Sequence, residues 1–185
     1  MVKLTIDGIQ VEAEKGTSVL HAAESVGIKI PTLCYIKDLL PDGSCRMCMV
    51  EIESRGRTKM ETACTAQVSE GLVVTTNSEK VRNARRNILD MLLSNHKTDC
   101  FSCPSNGDCK LQELCFEYGI ERTTYSGEQT ELPIDDSNKF FTYNPNLCIL
   151  CHRCVNTCHK VVGRGAIDTM ERGFDSAIGT PFHVD

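Results

Sequence analysis

Tryptophan is absent and aromatic residues make up only 5% of this 185-residue chain, so a large core built on aromatic side chains is not expected. No run of about 18 apolar residues occurs, and no conventional membrane-spanning helix is expected. The amino terminus, MVKLTIDGIQ, alternates apolar and polar residues and lacks the apolar stretch of a secretory signal, so a cytoplasmic chain with reduced thiols is expected. Basic excess is missing as well. The 20 Lys and Arg are intermingled with 25 Asp and Glu, for a net charge of −5, which argues against a nucleic-acid surface. There is no repeat with a period of about 20–50 residues, no low-complexity tract, no phosphate loop and no constellation of catalytic acid, base or nucleophile. Cysteine is what the chain has in excess, with 12. Thiols in CxxC spacing in a reducing compartment are metal ligands rather than disulfide halves, which disfavours a secreted disulfide scaffold.

The length suits one ordinary domain, but the cysteine pattern divides it into small modules. Residues 1–78 read as β-rich with one helix. Stretches 3–6 and 9–12 flank Asp7-Gly8, a strong hairpin signal, and 49–53 and 58–63 flank Arg55-Gly56. Thr17 or Ser18 caps a helix through Val19, Leu20, Ala22, Ala23 and Val26 that stops at Gly27, and 72–76 is a further strand. Strands crossing one helix resemble a β-grasp arrangement. Residues 79–95, EKVRNARRNILDMLLSN, predict a helix burying Val81, Ala84, Ile88, Met91 and Leu92. Arg82, Arg85 and Arg86 fall outside that face, as a solvated surface or a docking patch for a partner subunit. A short helix around Leu111, Leu114 and Phe116 closes a second module, 79–118. Residues 119–137, with RTTYSGEQTELPIDDS, read as a linker, and 138–185 as a last small unit.

Three groups of candidate ligands follow. Cys34, Cys45, Cys48 and Cys64 are spaced C-x10-C-x2-C-x15-C, a variant of the plant-type [2Fe–2S] signature with a longer first interval. A zinc site tolerates the same thiols, but the β-grasp context favours the iron–sulfur reading. His96, Cys100, Cys103 and Cys109 offer one imidazole and three thiolates, which suit a [4Fe–4S] cluster or zinc equally. Cys148, Cys151, Cys154 and Cys158, in CILCHRCVNTC, form the bacterial ferredoxin run. In that run the first three thiols hold one [4Fe–4S] cluster and the fourth reaches another. The run normally ends in Pro, whereas His159 stands here; His152 and His159 read as polar residues, since the thiols suffice. Cys115, at helical spacing beside Leu111 and Leu114, reads as a small buried hydrophobe.

In this order, with IPTLCY, SCRMCMVEIE, SNHKTDC and NLCILCHRC, the motifs resemble one N-terminal electron-transfer region. It is shared by iron-only hydrogenases, NAD(P)-linked formate dehydrogenase large subunits and the large iron–sulfur subunit of respiratory NADH dehydrogenase. The resemblance implies an α+β fold: a β-grasp [2Fe–2S] ferredoxin module, a helical cluster module and a small ferredoxin-like [4Fe–4S] module. It also implies that His96, Cys100, Cys103 and Cys109 hold a [4Fe–4S] cluster. In these families a second CxxCxxCxxxC follows and completes the cluster of Cys148, Cys151 and Cys154. The chain ends first, and Pro181 to Asp185 carry no terminating feature, so a C-terminal continuation is expected; otherwise Cys158 closes a single cluster. The implied function is single-electron relay between an NAD(P)H/flavin subunit or ferredoxin and a catalytic metal site outside this chain. The terminal reaction is expected to be of formate dehydrogenase or hydrogenase type, with a quinone-linked complex as the alternative. A zinc-stabilised interaction protein is the reading from a different class.

Overall fold

In a computed structural model, residues 1–180 are described; the expectation placed on Pro181 to Asp185 falls outside them. The amino-terminal unit is a five-stranded mixed sheet, its strands in the order 9–13, 2–6, 72–75, 49–54 and 57–62, with one helix packed across it. β1 (Val2–Ile6) and β2 (Ile9–Ala13) pair antiparallel with Ile6 opposite Ile9. Between them Asp7 and Gly8 take φ of 47° and 82°, the pair of positive angles that a two-residue turn of this hand requires. β3 (Met49–Ser54) and β4 (Arg57–Thr62) repeat the device around Arg55 and Gly56. β5 (Leu72–Thr75) lies between the hairpins, parallel to β1 and antiparallel to β3.

Alternation decides which side is buried. Leu4, Ile6, Val11, Val50, Ile52, Leu72 and Val74 point to one face and meet α1 (Val19–Ser25), which contributes Val19, Leu20, Ala22 and Ala23. The Ser18 hydroxyl caps α1 by accepting from the His21 amide, and Gly27 at φ 79° turns the chain out of it. Cys48 and Cys64 belong to this same core. The first ligand group therefore rests on the sheet's packing.

α2 (Glu79–Ser94) is capped by Ser78 and leads to α3 (Lys110–Glu117). Its buried stripe is Val81, Arg85, Leu89 and Leu93, with Ile88 and Leu92 partly covered and Met91 54% exposed. This corrects two expectations. The stripe is rotated from the one predicted, because Leu89 and Leu93 of α2 pack into one cluster with Leu33, Met47, Leu111, Leu114, Cys115 and Tyr118. Arg85 is neither solvated nor a docking group: it is 3% exposed and finds acceptors inside the protein. In α3 Leu111, Leu114 and Cys115 are buried, Cys115 as the small buried hydrophobe expected, while Phe116 is 90% exposed.

Segment 119–137 runs along α2 rather than hanging free. The Asp90 carboxylate accepts from Thr123 and Thr124, and the Asn95 side chain accepts from the Thr130 amide at 2.9 Å. Asn146 both accepts from Leu132 N and donates to Leu132 O, at 2.8 Å each. The carboxyl-terminal unit contains α4 (Arg153–Asn156), a π-helical continuation (Thr157–Val162) and a small hairpin of β6 (Asp168–Met170) with β7 (Ala177–Gly179).

Candidate metal centres

All twelve cysteines are free thiols. The first group sits where the loop before β3 and the end of β4 come together. Cys34, Cys48 and Cys64 are buried and Cys45 half-buried. The four form two pairs: Cys48 Sγ and Cys64 Sγ lie 3.3 Å apart, and Cys45 Sγ accepts from the Cys34 amide at 3.4 Å. Within each pair one thiol is held down and the other up. Hydrogen bonding from Cys45 draws Cys34 to about 5, and hydrogen bonding from Cys64 draws Cys48 to about 7. Cys45 and Cys64 are pushed up by the same bonds and by burial. Among the described residues no three of His, Cys, Asp and Glu gather closely enough to hold a single metal ion. Two thiol pairs are the donor set that a two-metal cluster needs, each metal taking two sulfurs.

The backbone is shaped for anionic sulfur. Gly43 at φ 66° and Arg46 at φ 58° bend the loop that carries Cys45 and Cys48. A side chain at Gly43 would meet Thr65 Cγ2 at 3.1 Å. In the third group Leu150 and His152, at φ 51° and 57°, alternate with Cys148, Cys151 and Cys154. A non-glycine residue in this region costs about 1–3 kcal/mol and persists where surroundings enforce it. Leu150 N donates to Cys148 Sγ at 3.4 Å and Ala166 N to Cys158 Sγ at 3.2 Å. Burial pushes the Cys148 thiol up, with the charges of Cys151 and Cys154 adding to it. Tyr143 is raised to about 12, chiefly by burial and then by the charges of Cys148 and Cys154; its hydroxyl donates to Ile178 O at 2.9 Å. His152 meets Thr169 Oγ1, and His159 meets Ile167 O and Asp168, so both have polar partners of their own.

The second group lies between α2 and α3. His96 follows the end of α2, and Cys109 immediately precedes α3. Successive turns wrap the loop between them, with Cys103 N donating to Cys100 O at 3.2 Å and Asn106 N to Cys103 O at 3.0 Å. Gln112 pins it by accepting from Gly107 N and donating to Asn106, each at 3.0 Å. His96 Nδ1 is buried and has no hydrogen-bond partner. Burial also holds its imidazole below the ordinary value, in the neutral form that binds metal. An orphaned, neutral ring nitrogen suits a ligand role, but among the described residues His96, Cys100, Cys103 and Cys109 are not gathered around one point. Cys115 is pushed up to about 11 by burial and by the charges of Cys109 and Cys100, which puts it in their electrostatic reach. A cavity of about 440 Å³ opens beside Cys103, bordered by Lys97, Asn144 and Leu147 at the approach to the third group.

Sequence reasoning missed Arg85, the left-handed Leu150 and His152, and a tether between modules. In that tether the Asp42 carboxylate accepts from the Asn156 side-chain amide and from Lys160 Nζ, the latter at 3.3 Å. Local patterns carry no signal for contacts between residues so far apart in the chain.

Comparison with known proteins bears on these centres. Residues 1–79 match the family described as a 2Fe-2S iron-sulfur cluster binding domain. Residues 85–124 match the NADH-ubiquinone oxidoreductase-G iron-sulfur binding region. The chain is 42% identical over 180 residues to an NADH-quinone oxidoreductase subunit of Rhizobium meliloti, covering 96% of itself and 21% of that protein. It is 36% identical to an NADP-reducing hydrogenase subunit of Solidesulfovibrio fructosivorans, covering all of itself and 32% of that subunit. Among solved structures, a chain of an NAD+-reducing [NiFe]-hydrogenase in the H2-reduced state superimposes with a TM-score of 0.88 at 32% identity, over 97% of this chain and 75% of the other. The chain thus spans about a fifth to a third of the length of these two curated relatives. Matched in chain order by both cluster regions and superimposed along nearly all of its length, this chain belongs to the iron–sulfur family that includes subunits of NADH-quinone oxidoreductase and of NAD(P)-linked hydrogenases.

Proposed function

We propose that this chain is an electron relay, carrying single electrons between an NAD(P)H/flavin subunit or ferredoxin and a catalytic metal site outside these residues. The observation that carries the reading is the paired arrangement of Cys34 with Cys45 and Cys48 with Cys64, three of them buried and Cys45 half-buried at the end of a packed sheet. These four would hold a [2Fe–2S] cluster. His96, Cys100, Cys103 and Cys109 would hold a [4Fe–4S] cluster. Cys148, Cys151 and Cys154 would hold a further [4Fe–4S] cluster, with Cys158 as its fourth ligand or as a ligand of another. Bound iron–sulfur clusters supply reversible one-electron chemistry. The protein supplies position, desolvation and hydrogen bonds to sulfur.

The residues suit that division of labour. The sheet and α1 fix Cys48 and Cys64 in a dry core, so their geometry changes little with charge. Leu150 N and Ala166 N offset negative charge on sulfur. The relatives, a quinone oxidoreductase subunit and a hydrogenase subunit, support partner subunits of a redox complex. The first of them favours the quinone-linked complex as a second reading beside the formate dehydrogenase or hydrogenase type. No helix among the described residues is long and apolar enough to cross a membrane, so attachment through such a helix forms no part of either reading.

Anaerobic purification with iron and sulfide analysis tests the proposal, followed by EPR after dithionite reduction. Separate [2Fe–2S] and [4Fe–4S] signals are expected. Colourless, iron-free protein that stays silent after reconstitution refutes it and leaves the zinc-stabilised alternative.

A further inference from the structure

Arg85 carries a full positive charge into the interior at 3% exposure. Both groups it donates to are uncharged: the Met49 carbonyl at 2.7 Å from Nη2 and the Tyr118 hydroxyl at 2.9 Å from Nη1. Its Nε is buried with no partner. Among the described residues no ion pair includes it. A buried guanidinium without a counter-charge is strongly disfavoured, and proteins retain one where an anion compensates it.

The candidate anion adjoins the backbone group that Arg85 holds. Met49, whose carbonyl Arg85 holds, directly follows Cys48. One turn further along α2, Leu89 packs in one cluster with Leu33 and Met47, which stand beside Cys34 and Cys48. The guanidinium is therefore fastened to the end of the loop carrying two of the four thiols. Four thiolates and two inorganic sulfides together outweigh the charge of two ferric ions, so such a cluster with its ligands is a net anion whose negative charge grows by one when an electron is added.

We propose that Arg85 is the fixed counter-charge of the cluster held by Cys34, Cys45, Cys48 and Cys64, and that it raises that cluster's reduction potential. A nearby cation favours the more negative, reduced state, and low local polarity strengthens the effect. Tyr118 serves as the second anchor of the charge. The inference rests on the four-thiol assignment proposed above.

The test is an EPR-monitored redox titration of the [2Fe–2S] signal in the anaerobically reconstituted 185-residue chain, as wild type and as Arg85→Gln, Arg85→Lys and Tyr118→Phe. Arg85→Gln keeps hydrogen-bond donors but loses the charge. It is expected to make reduction tenfold or more less favourable, a fall of 59 mV for one electron. Arg85→Lys and Tyr118→Phe keep a charge and are expected to stay within threefold of wild type. An Arg85→Gln midpoint within threefold of wild type overturns the proposal. So does an equal fall in Gln and Lys variants, the mark of a purely structural tie. If Arg85→Gln fails to retain the cluster, the other two variants decide, and a tenfold fall in both overturns it. Wild-type chain that binds no [2Fe–2S] cluster sinks the ligand assignment itself; a normal wild-type signal with an unshifted Gln variant sinks the role of Arg85 alone.

Discussion

Arg85 Nη1 donates to the Tyr118 hydroxyl at 2.9 Å, joining the second turn of α2 to the end of α3. Two more arginines meet the same residue. Arg86 Nη1 donates to the Tyr118 carbonyl at 2.9 Å, and the Arg82 guanidinium lies 5.9 Å from the centre of its ring. The three side chains that fall outside the apolar face predicted for this helix thus grip one buried tyrosine, itself 3% exposed. The consequence is geometric. His96 leaves α2 and Cys109 enters α3, so the grip on Tyr118 fixes the two ends of the second ligand group relative to each other.

Tyr118→Phe keeps the ring and its packing but removes the acceptor of a buried, charged donor. Leaving such a donor unsatisfied costs about 1–3 kcal/mol. Denaturant unfolding of the variant is expected to show a loss of this size. A loss below about 0.5 kcal/mol would mean that water replaces the hydroxyl.

Cys48→Ser removes one sulfur from the pair 3.3 Å apart. The [2Fe–2S] EPR signal is expected to disappear while [4Fe–4S] signals persist, because the other groups share no ligand with this one. Unchanged iron content would take Cys48 out of the proposed ligand set.

Gly43→Ala places a Cβ at φ 66°, within 3.1 Å of Thr65 Cγ2. The left-handed conformation alone costs a non-glycine residue about 1–2 kcal/mol, and the contact adds to it. Thr65 follows Cys64, so strain there displaces a proposed ligand. Lower iron loading of the first centre is expected, together with a reduced unfolding midpoint; full loading at wild-type stability would show that the loop absorbs the methyl group.

The parts of this fold legible in the sequence are those decided locally. Asp7-Gly8 and Arg55-Gly56 form turns because two adjacent positive φ angles suit few residue pairs, and the alternating strands beside them bury the faces they advertise. Cysteine spacing carried the family resemblance for the same reason: a wrapped loop needs its thiols at fixed short intervals. Illegible were the features made by distant partners. Arg85 is a polar residue whose burial is stabilised 33 residues away at Tyr118, and its inclusion rotates the buried stripe of α2 away from Met91. Leu150 and His152 adopt a backbone conformation that nothing in their side chains requests. The contacts of Asp42 with Asn156 and Lys160 cross more than half the chain.

That last contact predicts how the modules come apart. Asp42 is hydrogen-bonded by Asn156 first and Lys160 second, which holds its carboxyl below the usual range. Asp42→Ala removes the acceptor that these two side chains share, and a hydrogen bond to a charged group is worth about 1.5–3 kcal/mol before exposure reduces it. Faster amide exchange is expected across the helical turns Thr157–Val162, with iron in the first centre unchanged. Equal protection in the variant would mean that other contacts carry the junction.

His96 tests the second centre. Two roles are open to a histidine just past a helix: as a cation it interacts favourably with the helix's carbonyl end, and as a neutral imidazole it binds metal. Capping needs the charged form, in contact with water or with carbonyl oxygens. The structure instead buries Nδ1 without a partner, and burial lowers the tendency of the ring to take a proton. These observations favour the ligand. His96→Ala is expected to remove or alter a [4Fe–4S] signal while sparing the [2Fe–2S] signal. His96→Cys is expected to keep a [4Fe–4S] cluster at a lower potential, since a thiolate adds a negative charge that the imidazole does not. Retention of the wild-type spectrum and midpoint in both variants would reduce His96 to a helix-end residue, and the fourth ligand would then have to come from another side chain, with Cys115 a candidate thiol in the hydrophobic cluster that Cys109 packs against.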